Sequence, residues 1–93
     1  MVDIVRLEDY CIFTFVSTSH ALKAEKLMKE IKAAFEIIPT PREVSTSCGV
    51  SIKVRPDDFS SYYSLLTENR IKIEGAFRLS KKEDRMSVCS LIN

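Results

Sequence analysis

Two kinds of hydrophobic period alternate along this 93-residue chain, and their order restricts the fold more than any other feature. From Tyr10 to Val16 the chain reads Tyr-Cys-Ile-Phe-Thr-Phe-Val, an aromatic and β-branched run that predicts a strand. Cys11, Phe13 and Phe15 share one face of it and Ile12 takes the other. After Ser17-Thr18-Ser19, any of which suits a helix N-cap, Ala21, Ala24, Met28, Ile31 and Phe35 recur at spacings of three and four, with Leu27 beside them. Lys23, Lys26, Lys29 and Glu30 occupy much of the remainder, and Glu25 precedes Lys29 by four residues in the favourable order. The usual glycine stop is missing, with Lys32-Ala33-Ala34 in its place.

Glu36-Ile37-Ile38 reads as a short strand ended by Pro39, and Thr40 to Gly49 as a loop holding Pro41 and several hydroxyl residues. Val50-Ser51-Ile52-Lys53-Val54 alternates strictly, which predicts a strand with one buried and one wetter face. Pro56-Asp57-Asp58 opens a second helix, continued by Phe59, Tyr62, Tyr63 and Leu66 and stopped by a left-handed Asn69. Ile71, Ile73, Phe77 and Leu79 alternate with Lys72, Glu74 and Arg78 in a last strand, with a bulge at Gly75. The order β-α-β-β-α-β predicts an α+β, ferredoxin-like fold: a four-stranded antiparallel sheet with two helices on one face. Residues 1–9 read as an N-terminal extension, 10–79 as one domain, and 80–93 as a fraying tail in which Val88, Leu91 and Ile92 dock.

Bulk properties remove several function classes. Fourteen basic and 13 acidic side chains leave a net charge of +1, which gives no electrostatic basis for binding nucleic acid or an anionic membrane. No apolar run is long enough to cross a bilayer, and the first nine residues lack the pattern of a secretory signal, so the expected location is the cytoplasm. Cys11, Cys48 and Cys89 are odd in number and widely spaced, which argues against a disulfide framework. Without a Cys-x-x-Cys pair, and with His20 as the single histidine, no metal site is expected.

In the predicted fold the first strand, the start of the first helix and the loop before the third strand meet at one end of the sheet. That position puts Cys48 beside a helix N-terminus, whose N–H groups and positive pole favour a thiolate over a thiol. Arg42 in the same loop adds positive charge, and His20 in the first helical turn is a proton donor or acceptor, neutral by preference at that end. Gly49 leaves room for a partner to approach the sulfur. Cys11, inside a strand, reads as packed, and nothing near Cys89 activates it.

Phe13-Thr14-Phe15-Val16-Ser17-Thr18-Ser19-His20-Ala21-Leu22-Lys23-Ala24-Glu25, followed by Ile37-Ile38-Pro39-Thr40-Pro41-Arg42-Glu43-Val44-Ser45-Thr46-Ser47-Cys48-Gly49, resembles the selenium/sulfur carrier protein-like family of short bacterial domains. The resemblance spans Tyr10 to Leu79, and its most specific part is Pro-x-Pro-Arg-Glu leading into Ser-x-Ser-Cys-Gly. This chain departs from the pattern in lacking a glycine near Lys32 and in its residues beyond Leu79. The resemblance implies that Cys48 carries sulfur or selenium as a persulfide or perselenide, without any other cofactor. It makes His20, Arg42, Glu43, Ser45, Ser47 and Gly49 supporting motif residues. It also implies a donor protein, such as a cysteine desulfurase or a rhodanese-like protein, and an acceptor protein. The chain is then a carrier rather than a turnover enzyme, with no second cysteine placed to resolve the persulfide.

The alternative is a non-catalytic ligand-binding or interaction module with a structural Cys48, dimerising through the open sheet face. An RNA-binding sheet would need aromatics on the third strand, and Val50 to Val54 has none. A metal chaperone would want Cys-x-x-Cys where Ser17-Thr18-Ser19-His20 stands, and an acylphosphatase-like site would need a glycine-rich loop with arginine there.

Overall fold

The structure, a computed structural model, describes residues 7–44, 48–82 and 85–92. Its elements run β1 (Asp9–Phe15), α1 (Thr18–Glu30), β2 (Glu36–Pro39), β3 (Val50–Val54), a 3-10 turn (Pro56–Asp58), α2 (Phe59–Glu68), β4 (Ile73–Lys82) and β5 (Arg85–Ser90). The strands form one sheet in the order β2-β3-β1-β4-β5, with every neighbouring pair antiparallel. The expectation of a four-stranded ferredoxin-like sheet is therefore corrected. The fold is α+β, but the sheet has five strands, because Ser80–Lys82 finish β4 and Arg85–Ser90 form β5 instead of fraying. In this register Val88 faces Leu79 and packs beside it, so the apolar residues of that segment close a hairpin.

β1 lies at the centre, and Cys11 to Phe15 are all buried. Cys11, Phe13 and Phe15 meet Ala21, Ala24 and Met28 of α1 and Leu66 of α2 in the main core, so both helices cover one face. Phe13 stacks on Phe59 at a centroid distance of 5.1 Å, and Phe59 on Tyr63 at 5.7 Å, which fastens α2 to the middle of the sheet. The Tyr62 hydroxyl accepts from the Ala34 N–H at 3.2 Å and ties α2 to the connection after α1.

The other face carries a smaller cluster, Ile12, Leu79 and Val44, with Tyr10, Ile38, Phe77 and Val88 against it. Ser51 and Lys53, expected on a wetter face, are 0% and 6% exposed. Lys53 reaches burial by laying its stem over Tyr10, with Nζ 4.4 Å from the ring centroid and 3.9 Å from Glu36 Oε1. β4 carries an extra residue, Glu74, where the pairing shifts between Thr14↔Gly75 and Phe15↔Ile73, so the bulge lies next to Gly75. A side chain at Gly75 would meet the Phe77 ring at 2.8 Å and Thr14 Oγ1 at 3.1 Å. Glycine there lets the Phe77 ring lie over the backbone.

Ser17 is the N-cap of α1, its hydroxyl accepting from the His20 N–H at 3.4 Å, and the Glu25–Lys29 pair forms at 3.4 Å. α1 ends at Glu30, sooner than the apolar spacing suggests, and Phe35 packs on the core from the connection to β2. Both helix stops use non-glycine residues in the left-handed region: Lys32 at φ 58° and, in place of the expected Asn69, Arg70 at φ 61°. In the first, Ala33 N–H bonds Met28 C=O and Lys32 N–H bonds Lys29 C=O; in the second, Ile71 bonds Leu66 and Arg70 bonds Thr67. Each is a Schellman motif, closed by an apolar contact such as Ile71 with Leu66 in the core. Holding a side chain in this conformation costs about 1 kcal/mol. Lys32→Gly and Arg70→Gly are each expected to stabilise the fold by up to about 1 kcal/mol, a rise of about 4–8 °C in Tm by thermal denaturation.

Candidate functional site

β3 runs antiparallel to β1 with Thr14 opposite Ser51, so the start of β3 adjoins the end of β1. Cys48, two residues before β3, therefore stands where β1 passes into α1. Its side chain is 2% exposed and belongs to the helix-side core. Thr18, the first residue of α1, has Oγ1 3.9 Å from the Cys48 sulfur. The first intrahelical bond runs from Ala21 N–H to Ser17 C=O, and Ser17 Oγ takes the His20 N–H, which leaves the Thr18 and Ser19 amides outside the helical ladder. Apart from its chain neighbours, a Cβ added at Gly49 would meet no atom within 4 Å.

Thr40 holds the backbone of this site. Its N–H donates to Gly49 C=O at 3.0 Å, and its hydroxyl donates to Cys48 C=O at 3.2 Å while accepting from Ser51 Oγ at 2.8 Å. The loop thus closes on itself at the edge of the sheet. Neither Thr40 nor Thr18 stood out in the sequence. The only signals were the threonine between Pro39 and Pro41 and the surplus of hydroxyls at the helix start.

His20 Nδ1 accepts the Lys72 N–H at 3.1 Å. Arg42 and Glu43 are exposed in a turn closed by Val44 N–H to Pro41 C=O at 3.0 Å. Val44 is 6% exposed and packs with Ile12 and Leu79 on the helix-free face, so the loop starts on that face and ends at Cys48 on the other. Burial, and after it the nearby Glu43 carboxylate, raise the Tyr10 hydroxyl above its ordinary pKa. Ser45 and Ser47 lie outside the described residues.

The other thiols differ from Cys48 in setting, and none of the three forms a disulfide. Cys11, 2% exposed within β1, has its pKa pushed up to about 11, chiefly by burial; Arg78 opposes the shift and Asp9 adds to it. Cys89 is exposed on β5. Among the described residues there is no group of three or more His, Cys, Asp or Glu able to hold a metal ion, and no helix long and apolar enough to cross a membrane.

Two outcomes follow from this geometry. A thiol raised from 9.0 to about 11 stabilises the fold fully below pH 9, and that contribution is lost as pH rises through about 11. Cys11 should therefore resist alkylation at about pH 8 while Cys89 is labelled, as peptide mass mapping can read, and Cys11→Val should flatten the loss of stability between those two pH values. Thr40→Val should cost about 1–3 kcal/mol in denaturant unfolding, because it orphans the buried Ser51 hydroxyl and frees the Cys48 carbonyl.

Comparison with known proteins gives one match. The family described as Putative Se/S carrier protein-like matches residues 10–78, which include β1 from Tyr10 onward, both helices, the Cys48 loop and most of β4. β5 lies beyond the matched residues. Neither the curated proteins nor the solved structures hold a significant match. With about three quarters of its length matched, the chain belongs to the Putative Se/S carrier protein-like family.

Proposed function

We propose that this protein is a cytoplasmic carrier that accepts sulfur or selenium on Cys48, holds it as a persulfide or perselenide, and passes it to an acceptor protein. The observation that carries this reading is the position of Cys48 in a chain of this family: a thiol at the N-terminal end of α1, with the Thr18 hydroxyl 3.9 Å from its sulfur. That hydroxyl and the amides of the first helical turn are suited to the negative charge on the attacking sulfur and on the terminal atom of a persulfide.

In the loading step the Cys48 thiolate attacks the terminal sulfur of a donor persulfide, R–S–SH. The Cys48 S–S bond forms, the donor S–S bond breaks, and the donor leaves as its thiolate, R–S⁻. No net oxidation or reduction occurs, so no redox cofactor is needed. Unloading repeats the exchange with an acceptor nucleophile. A cysteine desulfurase or a rhodanese-like protein is the fitting kind of donor. Cys11 sits inside β1 and Cys89 on β5, so the described cysteines suit a single-thiol carrier rather than a dithiol oxidoreductase. The 2% exposure of Cys48 requires the sulfur to be uncovered for transfer.

That same burial favours a second reading, in which Cys48 is a packing residue of an interaction module. Intact-protein mass spectrometry after incubation with a desulfurase and cysteine separates the two. The carrier is expected to gain one sulfur atom that reductant removes, with the gain absent in Cys48→Ser and retained in Cys11→Ser. No gain with any of several donors, or an equal gain in Cys48→Ser, sinks the carrier reading.

A further inference from the structure

The two edges of the sheet are built differently. β2 is four residues long, contains Glu36 and ends in Pro39, features that blunt an edge against strand addition. β5 spans six residues, Arg-Met-Ser-Val-Cys-Ser, with no proline and a single charge at its first position. The hydrogen-bond phase of its outer side follows from two bonds. Leu91 N–H donates to Ala76 C=O, and Lys81 N–H on the other side of β4 donates to Glu8 C=O. With Arg78 opposite Cys89 and Ser80 opposite Ser87, the alternation of an antiparallel ladder directs Arg85, Ser87 and Cys89 towards β4. The N–H and C=O groups of Met86, Val88 and Ser90 then point away from the sheet, and β4 is the only described neighbour of β5.

From this we propose that β5 pairs antiparallel with β5 of a second copy, joining two sheets edge to edge across a two-fold axis at Val88. The sequence of the strand is self-complementary in that register. Val88 faces Val88 of the other copy, Met86 faces Ser90, and every outward backbone group of the three residues gains a partner. Val88 already packs on the Ile12–Leu79 cluster, so the apolar layer of the helix-free face continues from one copy into the next. Met86, 38% exposed in the single chain, is covered. The two Arg85 side chains lie about 20 Å apart along the paired strands, well beyond the screening length of physiological salt. Because the β2 edge is blunted, association closes at two copies instead of growing into a filament. This pairing is independent of any chemistry at Cys48, and it uses a strand outside the family match.

Sedimentation analysis of the full chain over a concentration series tests the proposal, together with amide hydrogen exchange. The expected result is a dimer in which the Met86, Val88 and Ser90 amides become protected with concentration, whereas those of Ser87 and Cys89 are protected throughout. Met86→Pro removes an outward N–H without breaking a β4–β5 bond, and Met86→Lys places a charge on the edge. Each is expected to raise the dimer dissociation constant at least tenfold while leaving the circular dichroism spectrum unchanged. A chain that stays monomeric throughout the series overturns the proposal. So does a dimer that survives Met86→Lys with its affinity intact, which would have to join through another surface.

Discussion

Ile12 sets the problem that the rest of the structure solves. It lies on the central strand, facing away from both helices, and is nevertheless fully buried. A two-layer fold has no helix to spare for that side, so the cover comes from Val44, packed with Leu79 and Ile38, and from Val88 of β5. Burying this cluster favours folding by about 25 cal/mol per Å² of apolar surface removed from water. It also dictates the course of the connection between β2 and β3. The chain must place Val44 on one face of the sheet and, four residues later, Cys48 on the other.

This division explains why the motif separates in space. Pro41 to Val44 follow the helix-free face, where Glu43 is near Tyr10, while Cys48 is drawn to the start of α1. Thr40 ties the start of the loop to its end by bonding Cys48 and Gly49 through side chain and backbone together. The consequence for the chemistry is a buried sulfur set beside a helix N-terminus and a hydroxyl. Cys11 has the same exposure. It lies inside β1, and burial is the main influence on its thiol.

Much of this was legible in the residues. The faces of β1 followed from alternation, a hydroxyl cap within Ser17-Thr18-Ser19 from its place before an apolar helical period, and the address of Cys48 from the order of elements. The left-handed helix stops were not, because Lys32 and Arg70 carry no glycine signal and adopt that conformation only since Ala33 and Ile71 gain bonds and packing by it. The burial of Ser51 and Lys53 was hidden for a similar reason. A polar residue in an alternating strand reads as wet unless Thr40, Tyr10 and Glu36 are known to lie over it. β5 escaped because its signal is a polar hairpin whose apolar members, Val88 and Met86, are too few to show a period.

By itself the sequence determined the helix and strand identities up to Leu79, the sidedness of the central strand and the one thiol set at a helix start, since each rests on local periodicity, capping and element order. Tertiary structure alone decided that the sheet has five strands, that the Pro41–Val44 turn belongs to the face opposite Cys48, and that His20 accepts from the Lys72 amide. These outcomes depend on contacts between residues distant in the chain, and the energy of such a contact does not exist until the sheet has brought its partners together.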